Sequence, residues 1–338
     1  MSLPVIQPTV APAGAPLVLE DIPKLKQEVR ALAAERDALI LAHNYQLPEI
    51  QQVAHYVGDS LGLSQQANNA GQPVIAFCGV HFMAETASIL CPDKKVLLPD
   101  LDAGCSLADS INAEQLADWK AKHPEALVVM YVNTTAEVKA LTDYCCTSSN
   151  AVKVVEHIYR EHGADTEILF GPDMFLGAYV EKLTGKPMHV WDGECHVHAG
   201  IRPSDIAKTR AEHPGADFLI HPECGCSTSV MEYVAAGDVD SEGVHMLSTG
   251  GMIDYAEHAQ PGATAIVATE TGMLHPLREL APGTDFIAAN EAASCRYMKM
   301  ITLPKLRDTL RDMRPEVRVP EEIARRARVP IERMVAID

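Results

Sequence analysis

Short apolar runs rich in β-branched and aromatic residues alternate with helix-period stretches along most of the chain. That alternation predicts an α/β protein with parallel sheets. The predicted strands are Ala38–Ala42, Val74–Phe77, Val96–Leu98, Leu127–Val132, Glu167–Phe170, Met188–Val190, Phe218–Ile220, Ala265–Ala268 and Asp285–Ala288. They fall into three sets of three. Each set opens with a strand that runs into a polar residue and then a helical pattern: LILAHNYQLPEIQQVA, LVVMYVNTTAEVKAL and FLIHPECGCSTSVMEYV. The polar residues are His43, Asn133 and His221, 90 and 88 positions apart. Each set closes with a strand, a short loop and one cysteine: DLDAGCSLADS, WDGECHVHAGI and NEAASCRYMKM. Those cysteines, Cys105, Cys195 and Cys295, are 90 and 100 positions apart. A middle segment recurs as AFCGVHFMAET, LFGPDMFLGAY and VATETGMLHPL.

Repetition at this period implies three similar βαβαβα modules rather than a solenoid. The expected architecture is three αβα, three-layer, parallel-sheet domains related by a pseudo-threefold axis around a central cavity. Their expected bounds are 17–106, 107–196 and 197–295, with 296–338 packing on the first. Ligands of parallel α/β sheets bind outside the carboxyl ends of the strands. Three modules would point those ends at one place, and each would deliver one thiol there. Free cysteine is commonly a small buried hydrophobe. Cys78, Cys91, Cys145, Cys146, Cys224 and Cys226 lack repeat partners and are read that way; the three matched cysteines are not.

Composition narrows the classes. At 338 residues, 47% hydrophobic and 22% charged, the chain can bury a large core. Its formal net charge of −18 argues against nucleic acid and anionic membrane surfaces as partners. Anionic substrates would then need positive potential from a metal, His, Arg or helix N-termini. No apolar run reaches the roughly 18–20 residues that span a bilayer. Met1–Pro16 lacks the features of a signal peptide and reads as a floppy leader. Nine cysteines suggest a reducing compartment, and a cytoplasmic location is expected.

Three distant cysteines do not match structural zinc sites, which show close pairs such as C-x₂-C. A four-iron cluster fits three converging thiolates and leaves one iron open, the mark of a catalytic metal site. The C-x₃-C-x₂-C arrangement of radical chemistry is absent. Two other readings stay open from the residues: a non-catalytic iron–sulfur sensor, and another cluster-dependent hydro-lyase acting on a dicarboxylate.

The segments AHNY, HFMAETA, AGCSLAD, YVNTTAEVKA, TSSNAV, GPDMFLGAYV, CHVH, HPEC, STGGM, ATETGMLH and CRYMKMITL together closely resemble the quinolinate synthase family, from about Leu39 to Leu306. That resemblance implies condensation of iminoaspartate with dihydroxyacetone phosphate to quinolinate, phosphate and two waters, in NAD biosynthesis. It also implies one [4Fe–4S] cluster with three Cys ligands and one open iron, on Cys105, Cys195 and Cys295. The imine would come from an L-aspartate oxidase or an aspartate dehydrogenase. Two departures stand out. Some members carry C-x₂-C-x₂-C at the last ligand, where this chain has only Cys295 followed by Arg296, Tyr297 and Met298. The stretch Glu223–Thr249, with Cys226, Ser227, Thr228 and the acidic run Asp238–Glu242, is longer than the family suggests and reads as an extended helix or surface loop.

By the same resemblance, His43, Tyr45 and Glu223 are the candidate proton handlers, with His43 also a binder of carboxylate or phosphate. Pro222 fixes the backbone beside Glu223, which suits a general base. Ser60, Ser148 and Ser248, each after its repeat's first helix, are candidate anion donors. Tyr131, Val132 and Asn133 end a strand, and Thr249 lies in a Gly-bearing loop where N–H groups approach an anion. His221 and His196 complete the expected substrate set, while His198 is read equally as a support for Cys195.

Overall fold

The computed structural model describes residues 21–227, 229–231 and 243–337. The expected leader and much of the long third-repeat segment, with Thr228 and Asp238–Glu242, lie outside the described residues. Twelve strands are present among them: β1 (Ala38–His43), β2 (Tyr56–Gly58), β3 (Val74–Cys78), β4 (Lys95–Leu97), β5 (Leu127–Tyr131), β6 (Tyr144–Cys146), β7 (Ile168–Gly171), β8 (His189–Val190), β9 (Asp217–Ile220), β10 (Val244–Met246), β11 (Thr264–Ala268) and β12 (Asp285–Ala288). They form three four-stranded parallel sheets in the orders β2-β1-β3-β4, β6-β5-β7-β8 and β10-β9-β11-β12. The α/β class and the threefold repetition of an αβα unit are both present.

Nine of the strands sit where the apolar runs placed them. The other three, β2, β6 and β10, are one missed strand per repeat. Each is only three residues long, too short for a period-2 signal to rise above its surroundings. Their presence changes the topology: each unit starts at an inner strand, steps to one edge, then returns past the start to the other side. Such a reversal opens a crevice at the carboxyl ends of the two inner strands. The first of these inner pairs is β1 and β3, joined in register from Ala38↔Val74 to Ala42↔Cys78. The inner strands are buried on both faces, as a parallel sheet covered by helices requires. Phe77 in β3 and Phe170 in β7 pair with Leu41 and Val129, filling matching core positions.

The repetition extends to the loops. The backbone N–H groups of His81, Met174 and Thr271 donate to the carbonyls of Ala103, Gly193 and Ala293, each at 2.8 Å. Each acceptor lies two residues before one of the matched cysteines, so the same bond anchors all three cysteine loops. The carboxyl-terminal helices cover the outside. Leu303–Asp312 packs on Ile22–Glu35, and Glu321–Ala336 lies across His81–Leu90, Ala136–Lys139 and β6. Asn150 fastens that last helix by donating to the carbonyls of Met334 (3.0 Å) and Ile337 (2.7 Å).

Candidate active site

Cys105, Cys195 and Cys295 each begin a helical turn, with the N–H of Asp109, Ala199 and Lys299 donating to the cysteine carbonyl. In that conformation the next N–H groups face the sulfur. The N–H groups of Leu107 and Ala108 act to lower the Cys105 thiol against its burial, as do those of Val197 and His198 at Cys195 and of Tyr297 and Met298 at Cys295. Three identical nests therefore present three sulfurs. The sulfurs are close enough that Cys195 and Cys295 each interact electrostatically with Cys105. Burial pushes the Cys105 thiol up to about 12 and raises Cys195 and Cys295 as well. With no Lys or Arg in the cavity wall among the described residues, thiolates here call for a metal's positive charge.

The thiols open into one cavity enclosing about 690 Å³, part of it continuous with solvent. It gathers His43, Tyr45, Ser60, Tyr131, Asn133, Ser148, His196, His221, Glu223 and Thr249 beside the three cysteines. Val132, Pro222 and Ser248 stand behind the wall. Val132 N–H donates to the Cys146 carbonyl, the Pro222 carbonyl accepts from Ser227, and Ser248 caps its helix by accepting from Gly251 N–H at 3.1 Å. Ser60, Ser148 and Ser248 follow the missed strands β2, β6 and β10, the topological reason for their recurrence.

A chain of polar side chains crosses the cavity, hydrogen-bonded except between His198 and Glu223. Tyr45 Oη lies 2.6 Å from Thr269 Oγ1 and 3.3 Å from His198 Nε2. On its other side, His198 Nδ1 is 3.4 Å from Glu223 Oε2, and Glu223 Oε1 accepts from Tyr131 Oη. Two tyrosines from the first two repeats are thus linked through a histidine and a carboxylate of the third. Burial, followed by the charge of Asp173, holds the Glu223 carboxyl well above the usual carboxylate range. Burial lowers His198 to about 4 and His43 to about 3, and holds His221 well below its ordinary value, so all three are neutral near pH 7. Their tautomers follow from their partners. The N–H of Tyr45 donates to His43 Nδ1 (3.2 Å), and that of Glu223 to His221 Nδ1 (3.3 Å). Both rings therefore carry their proton on Nε2; that of His221 lies 3.3 Å from Ser148 Oγ.

Asp59, Glu270 and Asp173 escaped the sequence reading, and His198 is named there without being separated from His196. His198 is the buried member of the polar chain, whereas the exposed His196 sits at the rim, 2.6 Å from Ser106 Oγ. Asp59 caps the helix Ser60–Asn69 through Gly62 N–H (2.8 Å) and accepts from Ser149 of the next repeat at 2.5 Å. Glu270, fully buried, accepts the N–H of Cys295 (2.9 Å) and of Gly272 (2.7 Å) and pairs with Lys299 at 2.9 Å. Asp173 holds the matching place in the second repeat and accepts from Leu176 N–H at 2.7 Å. The expectation that Cys224 and Cys226 are free thiols is corrected: they form a disulfide across Gly225. Gly225 allows it because its backbone packs against Ala199, whose carbonyl would lie 3.0 Å from a Cβ there. Cys78, Cys91, Cys145 and Cys146 are free and buried.

The donor set suits a thiolate-bound metal centre. Cys195, His198 and Glu223 offer ligand atoms all within 4.8 Å of one another. The buried Asn133 Oδ1 and His198 Nδ1 have no hydrogen-bond partner among the described residues, an arrangement that a bound molecule would relieve.

Comparison with known proteins agrees over nearly the whole chain. The family described as "NadA: Quinolinate synthetase A protein" matches residues 27–336. A quinolinate synthase of Mycobacterium sp. (strain KMS) is 57% identical over 311 residues, 92% of this chain and 91% of that one. The quinolinate synthase of Mycobacterium tuberculosis (strain H37Rv) is 55% identical over 92% of this chain and 88% of its own length. That of Thermus thermophilus is 55% identical over 93% and 97%. With the repeated cysteine nests, the shared cavity and these matches in hand, the chain belongs to the quinolinate synthase family of enzymes.

Proposed function

We propose that the chain condenses iminoaspartate with dihydroxyacetone phosphate to give quinolinate, phosphate and two waters, a redox-neutral step of NAD biosynthesis in the cytoplasm. The observation that carries this reading is the convergence of three equivalent cysteine nests on a cavity spanned by the Tyr45–His198–Glu223–Tyr131 chain. Cys105, Cys195 and Cys295 would hold a [4Fe–4S] cluster. Bound there with one open iron, the cluster would supply Lewis-acid polarisation of a substrate oxygen.

The chain's own residues do the rest. Anionic substrates meet no Lys or Arg in the wall, so neutral donors bind them: Nε2–H of His43 and His221, the hydroxyls of Ser60, Ser148 and Thr249, and the Asn133 amide. A dry wall of such donors discriminates by geometry rather than by net charge. Ser60 and Thr249 each open a ten-residue helix, whose first turns add positive potential. Glu223 is the general acid–base. Its carboxyl, held well above the usual carboxylate range, keeps a proton that it can give to a departing hydroxyl and regain from carbon. Tyr131 holds one carboxylate oxygen in place. His198 faces the other at 3.4 Å and reaches Tyr45 on its far side, so a bound molecule that partners His198 Nδ1 would join the two ends of the cavity. The imine would be supplied by an L-aspartate oxidase or an aspartate dehydrogenase.

The direct test is anaerobic turnover of the iron-loaded protein with freshly generated iminoaspartate and dihydroxyacetone phosphate. Quinolinate and phosphate should appear in equal amounts. A loaded, folded protein that makes neither would overturn the reading.

A further inference from the structure

The carboxyl edges of the three sheets meet at the cavity; the amino edge of the second sheet carries a different cluster. His123 ends the helix Ala113–Lys122, Glu167 immediately precedes β7, and His189 begins β8. His123 Nδ1 lies 2.6 Å from Glu167 Oε1, and His189 Nε2 lies 2.7 Å from the same oxygen. The two imidazole rings are 4.2 Å apart, and one ligand atom from each of the three side chains falls within 4.8 Å of the other two. Their backbones are held independently: Leu127 N–H donates to the Glu167 carbonyl (2.9 Å), Ala126 N–H to that of His123 (3.1 Å), and His189 is paired with Leu169.

The fold does not require these residues. By strand register, the positions of Glu167 and His189 are filled by Val74 and Leu97 in the first sheet and by Thr264 and Ile287 in the third. Those are ordinary strand residues. The second sheet alone replaces both with metal-ligand types. Of the His123 position the third repeat keeps an equivalent, His213, which also ends its helix before a proline. The histidine at the helix end is thus shared, while its two partners are particular to this edge. The side chains are part-exposed, 25%, 40% and 46% for His123, Glu167 and His189, leaving room for water as further ligands.

We propose that His123, Glu167 and His189 form a binding site for a zinc-class divalent cation. Two imidazole nitrogens and one carboxylate oxygen, with water completing the shell, are a donor set that such ions prefer over calcium or magnesium. Glu167 arrives already ionised: the hydrogen bond from His123 leads the interactions that hold its carboxyl below the usual range. On binding, the N–H that each ring turns toward Glu167 moves to its other nitrogen, which frees His123 Nδ1 and His189 Nε2 for the metal with no net loss of protons.

The test compares the anaerobic, iron-loaded protein with a Glu167→Thr/His189→Leu variant. That change installs a pair drawn from the sister sheets and so keeps strand-compatible residues at both positions. His123→Ala serves as a second variant, since its side chain is outside the sheet. Titrating Zn²⁺ by calorimetry, the parent should bind one more ion per chain than either variant. Removing ligands should weaken that event by at least about 10–100-fold. Iron content and melting midpoint without zinc should be the same in all three, and zinc should raise the midpoint only in the parent. Equal zinc stoichiometry and affinity in parent and variants would overturn the proposal. So would a zinc event that survives in His123→Ala with its affinity unchanged.

Discussion

The second and third repeats set a buried carboxylate beside their cysteine loop, and the first repeat does not. Asp173 and Glu270 occupy the cap position before the segment that anchors each cysteine loop. Glu270 accepts the backbone N–H of Cys295, while Asp173 accepts that of Leu176, and the Cys195 N–H also acts against the burial that raises its carboxyl. Val80 holds that position in the first repeat and offers no such acceptor. Yet the anchoring bond is 2.8 Å in all three, and the pair of N–H groups facing the sulfur recurs in all three. The backbone has therefore kept one plan while the side chains diverged. What every repeat must supply is the sulfur and its nest. What each may vary is the polar group after its first strand: His43, Asn133 or His221.

If the catalytic load has moved to the third repeat, Glu223→Gln should have the largest chemical effect. The near-isosteric amide keeps the bonds to Tyr131 while losing the ability to exchange a proton. Turnover should fall by about 10²-fold or more with iron content unchanged. Single-turnover rates in iron-matched samples check this, and near-normal rates would return Glu223 to the role of a spectator. Removing a carboxylate brace comes next. Glu270→Gln leaves Lys299 without its counter-charge and weakens the bond to Cys295 N–H, at a cost of about 1.5–3 kcal/mol for a charge-assisted bond. Iron loading should drop and oxygen should bleach the protein faster. Asp173→Asn should do the same more weakly, because burial already pushes that carboxyl up to about 7, so half of its charge is absent at neutral pH. A Glu270→Gln protein that loads and survives air like the parent would refute the brace.

The smallest effect concerns acid. His43 and His221 have folded-state values far below the ordinary 6.5, chiefly through burial. The unfolded chain takes up their protons first as pH falls. Their contribution is thus complete above about pH 6.5 and is lost as pH drops toward about 3. Glu223, shifted upward, works in the opposite sense and is stabilising at the acid end. Between pH 7 and 5 the metal-free protein should lose about 1–2 kcal/mol for each of the two histidines. His43→Asn should flatten that slope in urea titrations; an unchanged slope would mean that His43 is already protonated in the fold.

Much of this was readable in advance. The strand-to-polar boundaries and the matched cysteines are local features, so the threefold plan and most of the cavity wall followed from pattern. The edge strands were not, because Tyr56–Gly58, Tyr144–Cys146 and Val244–Met246 are short and acquire strand geometry only by pairing with β1, β5 and β9. Laying the repeats over one another would have exposed them, since each precedes a matched serine. Asp173 and Glu270 stood in the recurring middle segments, but nothing local says that a carboxylate there stands beside a distant cysteine loop. His198 and His196 were indistinguishable in CHVH. Which of them turns inward is decided by the helical turn Cys195 begins, and that turn buries His198 and exposes His196. The disulfide between Cys224 and Cys226 had no repeat partner to announce it.

The central claim is that three repeats each give one thiolate to a single centre. Iron and sulfide analysis of anaerobically purified protein tests it most directly, comparing the parent with Cys105→Ala, Cys195→Ala, Cys295→Ala and the buried control Cys145→Ala. The account predicts about four irons per chain in the parent and the control, with loss of the cluster from every one of the three ligand variants. Full iron retention in any one of those three, with the protein folded, would contradict it.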